Sequence, residues 1–514
     1  MPKGIGAAGR TLKLNLEAMQ RIADDVSRMD TSGAHGAEIM FVESGSGIIK
    51  LHAERLEDHQ MEGQLRSQNA MNALFEIQQD AMSRVLNLLG NSTMVVDPAN
   101  PRDPVKLAAC FSDFNDALIE CRDDDTAPGV KEKVLIAAQQ LCFTFNEIIV
   151  GIERITGQVE QKIAADVAKI NDLLHQIRRI DDAIVTTWLP EVPPVNLEDE
   201  RDRLLDQLRE IIPFETEFSS EEPNGPERVV LRLEGGPLLD PAVDPPRALT
   251  QNERVLLGPN GQHIRFEWDK RQNETAVEAC LRLFCVKPSG EEQEIEVNLG
   301  AGRTKVGNFY FQRASEYGGA LPGLLNSLDR TENRNRTLGP GASQPLQRDL
   351  DIDFAEIREM LSRWGLFLAT ATNNVVGGGV PTSLISFGAD DLISVDDAWA
   401  ANPALVGQAV TTRLFQNIDG PHNHIDLGFG EFSCAEVPGQ IFLRLAYGVE
   451  RLREKQKLGQ EVYQTLAVSA REKFTISKNE LQLRQQRFSV TVASLQQVLE
   501  ILLQTLKIIA GLGR

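Results

Sequence analysis

Apolar positions recur with a helical period over most of the chain. Leu12, Leu16, Met19, Ala23 and Val26 follow a 4-3-4-3 spacing, which places one apolar stripe on an N-terminal helix. A glycine-containing break runs from Thr31 to Gly47. The next stripe, Leu74, Ile77, Ala81, Val85 and Leu88, predicts a helix over 54–89, closed by Pro98, Pro101 and Pro104. Short helices are expected around 105–121. A long one starts near 129, and Ile163, Val167, Ile170, Leu174, Ile177, Ile180 and Ile184 form its inner line until Pro190, Pro193 and Pro194 stop it. Residues 199–212, DERDRLLDQLREII, read as one more helix.

The period then drops to two. Val229, Leu231 and Leu233 alternate with their neighbours, as do Ile264, Phe266 and Trp268, Leu281 and Leu283, and Ile295 and Val297. Gly-Pro-Asn-Gly at 258–261 and Pro-Ser-Gly at 288–290 are turn signals between them. A small antiparallel β domain is expected here, hung on the helical part and built round its own core. Helix returns at 350–374, followed by glycines 377–379 and a short irregular or β segment to about 440. From there the chain reads as helix to the end. In its last part Leu481, Phe488, Val492, Leu495, Leu499, Leu502, Leu506 and Ile509 occupy successive heptad positions, with Val498, Ile501 and Ile508 as a second apolar flank. A helix greasy on more than one face needs partner helices.

The predicted class is therefore mainly α with a β insert, an α+β multidomain chain. Its parts are an N-terminal assembly helix and turn (1–53), a helical core (54–212), a β-rich outer domain (213–312), a return to the core (313–445) and C-terminal core and assembly helices (446–514).

Composition narrows the function. The 514 residues are 42% hydrophobic and 25% charged, with a formal net charge of −21, which fits a folded chain and opposes binding to nucleic acid or anionic lipid. The charge is uneven. Residues 1–29 hold five basic and three acidic side chains, and residues 481–514 hold four basic and one acidic. The acidic excess thus lies in the body between two basic ends. No run of 18 apolar residues predicts a membrane span, and residues 1–30 lack the apolar stretch of a secretory signal. Six scattered cysteines without a CxxC read as free thiols.

Candidate chemistry is sparse. His422, His424 and Asp426 offer two imidazoles and a carboxylate, yet no further histidine lies near, so a polar loop is the plainer reading than a metal-dependent hydrolase. Gly45-Ser46-Gly47 lacks the GxSxG spacing of a nucleophile elbow, and Gly377-Gly378-Gly379 lacks the Lys-Ser/Thr of a phosphate loop. The expectation is no catalytic residue, no metal and no cofactor.

Several segments resemble the FlgK family of flagellar hook-associated junction proteins. In residues 48–70, IIKLHAERLEDHQMEGQLRSQNA, the positions Glu54, Arg55, Asp58, Gln64, Leu65, Arg66 and Ser67 match the stretch that opens the family's first core helix. Phe111, Phe114, Ala117 and Leu118 match its F-x-x-F-x-x-A-L helix. AAQQLCFTFN at 137–146 and the Ile170-Asn171 helix match two further helices, and residues 200–208, ERDRLLDQL, match another. Gly318 to Leu325 is similar to "GG.LGGLL", and Ile393 to Val395 with Asn402 to Val406 is similar to "I.VNP.L". The Thr-Pro-Gly-Tyr turn after the first helix and the Asp-Glu-Glu before the last are missing, which marks a divergent member.

The resemblance implies a structural axial protein that joins hook to filament outside the cell, after type III export without a cleaved signal. It implies self-assembly through the terminal helices in a helical lattice. Its partners would be hook protein, a second hook-associated protein or flagellin, and an export chaperone on the C-terminal helix. The assembly interface would be Leu12, Leu16, Met19 and Val26 packed on Phe488, Val492, Leu495, Leu499, Leu502, Leu506 and Ile509. Without the resemblance, the same heptads would also suit a cytoplasmic coiled-coil scaffold.

Overall fold

The computed structural model describes residues 10–20, 22–23, 37–43, 49–55, 58–90, 106–188, 194–220, 226–233, 255–273, 276–295, 317–328, 353–372, 384–419, 423–427, 430–474 and 478–511. The short helix α1 covers residues 10–20. Strands β1 (Ala37–Glu43) and β2 (Ile49–Arg55) pair antiparallel, Ala37 opposite Arg55. This corrects the expectation of a helix from 54. Ile49, Leu51 and Ala53 alternate with Lys50, His52 and Glu54, a period of two that holds the chain extended. Helix α2 (His59–Leu89) starts only after Asp58, whose carboxylate accepts from the Met61 amide at 3.1 Å.

Helices α3 (Lys106–Asp123), α4 (Val130–Thr187) and α5 (Val195–Ile211) follow. The 58 residues of α4 form the axis of the molecule. Its inner line of Ile163, Val167, Ile170, Leu174 and Ile177 is buried as expected from the period. One stretch of α4 is long and apolar enough to cross a membrane by composition, but more than half of that stretch is buried inside the chain.

Six strands then form an antiparallel meander in sequence order: β3 (Phe214–Ser220), β4 (Glu227–Leu233), β5 (Val255–Leu257), β6 (His263–Asn273), β7 (Ala276–Val286) and β8 (Glu292–Glu294). The sheet does not enclose a separate core. Leu231, Leu233, Ile264, Phe266, Leu281 and Leu283 join the same buried cluster as the α4 stripe. The alternation therefore shows which side of each strand is covered, and the cover is α4.

Helices α6 (Ala320–Leu328) and α7 (Phe354–Thr372) return to the core. Two small hairpins flank α8 (Asp397–Ala401) and α9 (Gln408–Asp419): β9 (Ile385–Phe387) with β10 (Ile393–Val395), and β11 (His424–Asp426) with β12 (Glu431–Ser433). The C-terminal region is two helices, not one. Helix α10 (Val437–Phe474) lies along α2, and α11 (Lys478–Gly511) follows.

Candidate functional site

The residues quoted for the family resemblance turn out to hold one another. Arg66 of α2 donates through Nε to Asp206 at 2.7 Å and through Nη2 to Asp202 at 3.1 Å, so the QLR stretch is tied to the ERDRLLDQL helix. Glu62 adds a third carboxylate 3.6 Å from the same guanidinium. Asn146 of α4 clamps β10 from both sides. Its amide donates to the Ile393 carbonyl at 2.8 Å, and its carbonyl accepts from the Ile393 amide at 2.9 Å. Asn171, farther along α4, does the same to Phe266 of β6, at 2.8 and 3.0 Å. The rings of Phe111 and Trp364 meet edge to face at 5.7 Å, and Trp364 Nε1 donates to the Cys434 carbonyl at 2.9 Å.

The Gly318-Gly319 pair occupies a passage between α2 and the end of α5. Both have positive φ, +89° and +104°. A Cβ on Gly318 would lie 2.5 Å from the Ala70 carbonyl carbon, and one on Gly319 would lie 2.8 Å from the Ile211 carbonyl oxygen. Only glycine combines that backbone with that proximity. The Gly319 amide closes the joint by donating to the Ala70 carbonyl at 2.8 Å.

A buried ion pair fixes β4. Asp181 of α4 accepts from Arg201 of α5 at 3.2 Å and from the Val229 amide of β4 at 3.0 Å. Both charged side chains are almost fully buried. Burial pushes the Asp181 carboxyl above its ordinary range, against the opposing pull of Arg201, the Val229 amide and Arg228.

The proposed assembly stripes have a different character. On α1 the buried positions are Asn15 and Ala18, joined by Ile22 in the helical residues 22–23. Leu12 and Met19 are half-buried, and Leu16 is 47% exposed. The covered face is therefore rotated from the leucine stripe, and Leu16 does not belong to it. A count of large apolar residues misses this line because alanine and an asparagine form part of it. The Asn15 amide donates to the Thr11 carbonyl at 2.7 Å, which lets it sit inside. On α11 Val492 is buried, Phe488 and Leu495 are half-buried, and Val490 and Ile501 are 70% and 62% exposed. Val26 and the side chains of Leu499, Leu502, Leu506 and Ile509 lie outside the described residues.

Among the described residues no catalytic constellation emerges. His424 and Asp426 are exposed on β11, and His422 lies outside the described residues. Among the described residues no three His, Cys, Asp or Glu side chains gather in a way that could hold a metal. Among the described residues Cys110, Cys121, Cys142, Cys285 and Cys434 form no disulfide, and burial pushes the Cys142 thiol up to about 12.

Residues 100–275 match the family model of the flagellar hook-associated protein FlgK helical domain, a span that takes in α3, α4, α5 and the strands that dock on α4. Over that third of the chain the similarity is to the FlgK family. It is similar to flagellar hook-associated protein 1 of Bacillus subtilis (strain 168), 21% identical over 233 residues, which is 42% of this chain and 44% of that protein. It is also similar to the solved flagellar hook junction protein FlgK from Burkholderia pseudomallei, at 14% identity and a TM-score of 0.41, over 64% of this chain and 47% of that one. The matched part is thus under half the length of either relative. Within the FlgK family match lie Asn146, Asn171, Asp181, Arg201, Asp202 and Asp206, most of the joints described above.

Proposed function

We propose that this chain is a structural axial protein of the bacterial flagellum, placed between hook and filament, and not an enzyme. The family match supports the flagellar role. The observation that carries the assembly reading is the contrast on α11, where Val492 is buried while Leu483, Val490, Val498 and Ile501 are 47–70% exposed. Apolar side chains in such a row are costly in water, at roughly 25 cal/mol per Å². They suit a helix whose remaining faces are covered by neighbouring subunits. Contacts of this heterologous kind, if they do not close, build a tube. In this reading Leu12, Leu16, Met19 and Val26 join Phe488, Val492, Leu495, Leu499, Leu502, Leu506 and Ile509 at the assembly interface, with exposed Leu16 turned toward a neighbour. Partners would be hook protein, a second hook-associated protein or flagellin, with an export chaperone shielding α11 during type III export.

The test is complementation of a strain lacking the gene by the chain carrying Val490→Asp and Ile501→Asp together. The expected outcome is an unchanged thermal midpoint of the purified protein, normal appearance of the protein in the culture medium, and loss of attachment and swimming. A discrete soluble oligomer of the wild type that the double substitution dissolves would point to a coiled-coil scaffold and overturn the axial reading.

A further inference from the structure

Beyond its axial role, we infer that a pocket between α4 and the sheet binds a small divalent oxyanion of the phosphate class. The pocket has a volume of about 300 Å³. One wall is α4, where His175 and Arg178 follow each other at three-residue spacing. The other is the end of the sheet, where His263 and Lys287 stand beside two tight turns. Leu174 and Val286 form apolar parts of the lining.

The turns shape the site. The first is closed by the Gly258 amide donating to the Gln262 carbonyl at 2.7 Å, the second by the Lys287 amide donating to the Glu291 carbonyl at 2.9 Å. Gly261 lies at φ +91°, and a Cβ there would sit 2.7 Å from Nη1 of Arg178. The guanidinium therefore rests against the bare backbone of the turn, a place open to it only because residue 261 has no side chain. His263 Nδ1 is 3.2 Å from the Gly261 carbonyl. A carbonyl only accepts, so Nδ1 carries the hydrogen of this contact. The imidazoles of His175 and His263 meet edge to face with centroids 5.6 Å apart. Two imidazolium ions at that distance repel unless an anion lies with them.

The acids beside this group already have partners, Asp182 and Glu292 chiefly arginines outside the pocket and Glu291 the Lys287 of its rim. Asp182 is 3.9 Å from Arg178 but 2.8 Å from Arg228. Glu291 holds Lys287 at 2.9 Å, and Glu292 holds Arg265 at 2.9 Å. Arg178 is thus left with one loose ionic contact among the described residues, although the chain carries a net charge of −21. A planar guanidinium with several donors, beside two imidazoles, recognises a tetrahedral oxyanion, and more strongly in acid, where histidine as a residue type gains charge. The volume exceeds that of a bare ion and leaves room for a phosphomonoester.

The experiment is calorimetric titration of the full chain with sodium sulfate at pH 5.8 and 8.0, with chloride at equal ionic strength as reference. Sulfate keeps its charge over that range, so any pH dependence belongs to the protein. Binding should be roughly tenfold weaker at pH 8.0, and Arg178→Gln should weaken it about tenfold at pH 5.8. His175→Gln, on the exposed side of α4, should flatten the pH dependence while its melting midpoint without sulfate stays that of the wild type. This second variant decides the matter if Arg178→Gln does not fold. Glycerol phosphate binding more tightly than inorganic phosphate would assign the site to the phosphoryl head of a larger molecule, and equal binding would assign it to the free ion. Equal effects of chloride and sulfate, or undiminished sulfate binding in both variants, would overturn the proposal.

Discussion

Helices α4 and α11 are both long and both carry apolar residues at regular spacing, yet they meet opposite fates. Ile163, Ile170 and Ile177 on α4 are fully buried, while Val490, Val498 and Ile501 on α11 stand in solvent. What separates the two is the polar complement. On α4 the inward side includes Asn146, Asn171 and Asp181, each of which reaches the backbone of a later strand. Such groups are tolerated at a buried face only when their hydrogen bonds are made. A polar residue set within an apolar stripe therefore signals a joint inside the chain. On α11 the exposed Val490, Val498 and Ile501 are the surface to which the proposed assembly role assigns a partner.

The sharpest way to break this comparison is at the buried ion pair. Arg201→Met removes the charge that compensates Asp181 and should cost about 3–5 kcal/mol at pH 7.5 by chemical denaturation. The Asp181 carboxyl already sits above its ordinary range because it is buried, so the folded state prefers it protonated. Its contribution is most favourable in acid and declines as pH rises through the raised value. Without Arg201 that value climbs further. The loss should therefore be complete at pH 7.5 and should shrink as pH falls toward the usual carboxylate range near 4. A loss independent of pH would mean the pair acts through packing alone, such as the contact of Arg201 over the Phe218 ring at 5.0 Å.

A smaller effect is expected at Asn171→Ala. It strips partners from both the amide and the carbonyl of Phe266, and should cost about 2–3 kcal/mol. If the sheet were an independent unit, its own melting would be untouched and only its docking would loosen. One shared core predicts instead a single transition at a lower midpoint, measured by circular dichroism at 222 nm and by tryptophan fluorescence. The smallest effect belongs to α11, where Val498→Ser should move the isolated chain's stability by less than about 0.5 kcal/mol. A loss as large as that at Asn171 would place α11 in the chain's own core.

Much of this architecture was legible in the amino acids. The α4 stripe, the strand alternation at Ile264 and Phe266, and the proline stops are local signals, and local signals set element type. What they omit is the identity of the opposite face. Alternation at Val229, Leu231 and Leu233 fits a small free-standing sheet as well as a sheet laid on α4, and only Asn171 and Asp181 distinguish the two. The hairpin of β1 and β2 was hidden because the QLR helix match drew the helical reading upstream past Asp58, where the cap stops it. On α1 the leucine stripe misled because the covered face uses Ala18, whose small side chain carries little weight in a hydrophobic count. On α11 the legible part was a surplus of apolar positions, and Leu483, Val490, Val498 and Ile501 are exposed.

The length of α4 has a mechanical meaning. At 1.5 Å per residue its 58 residues span about 87 Å, and the two asparagine clamps, 25 positions apart, pin separate β segments to it roughly 38 Å from each other. A bending load on such a beam is shared between these fixings instead of concentrating at one turn. Between them lies Gly157, with open space where a side chain would be. Apart from proline, glycine is the weakest helix former, so the strut carries an intrinsically soft position between its two fixings.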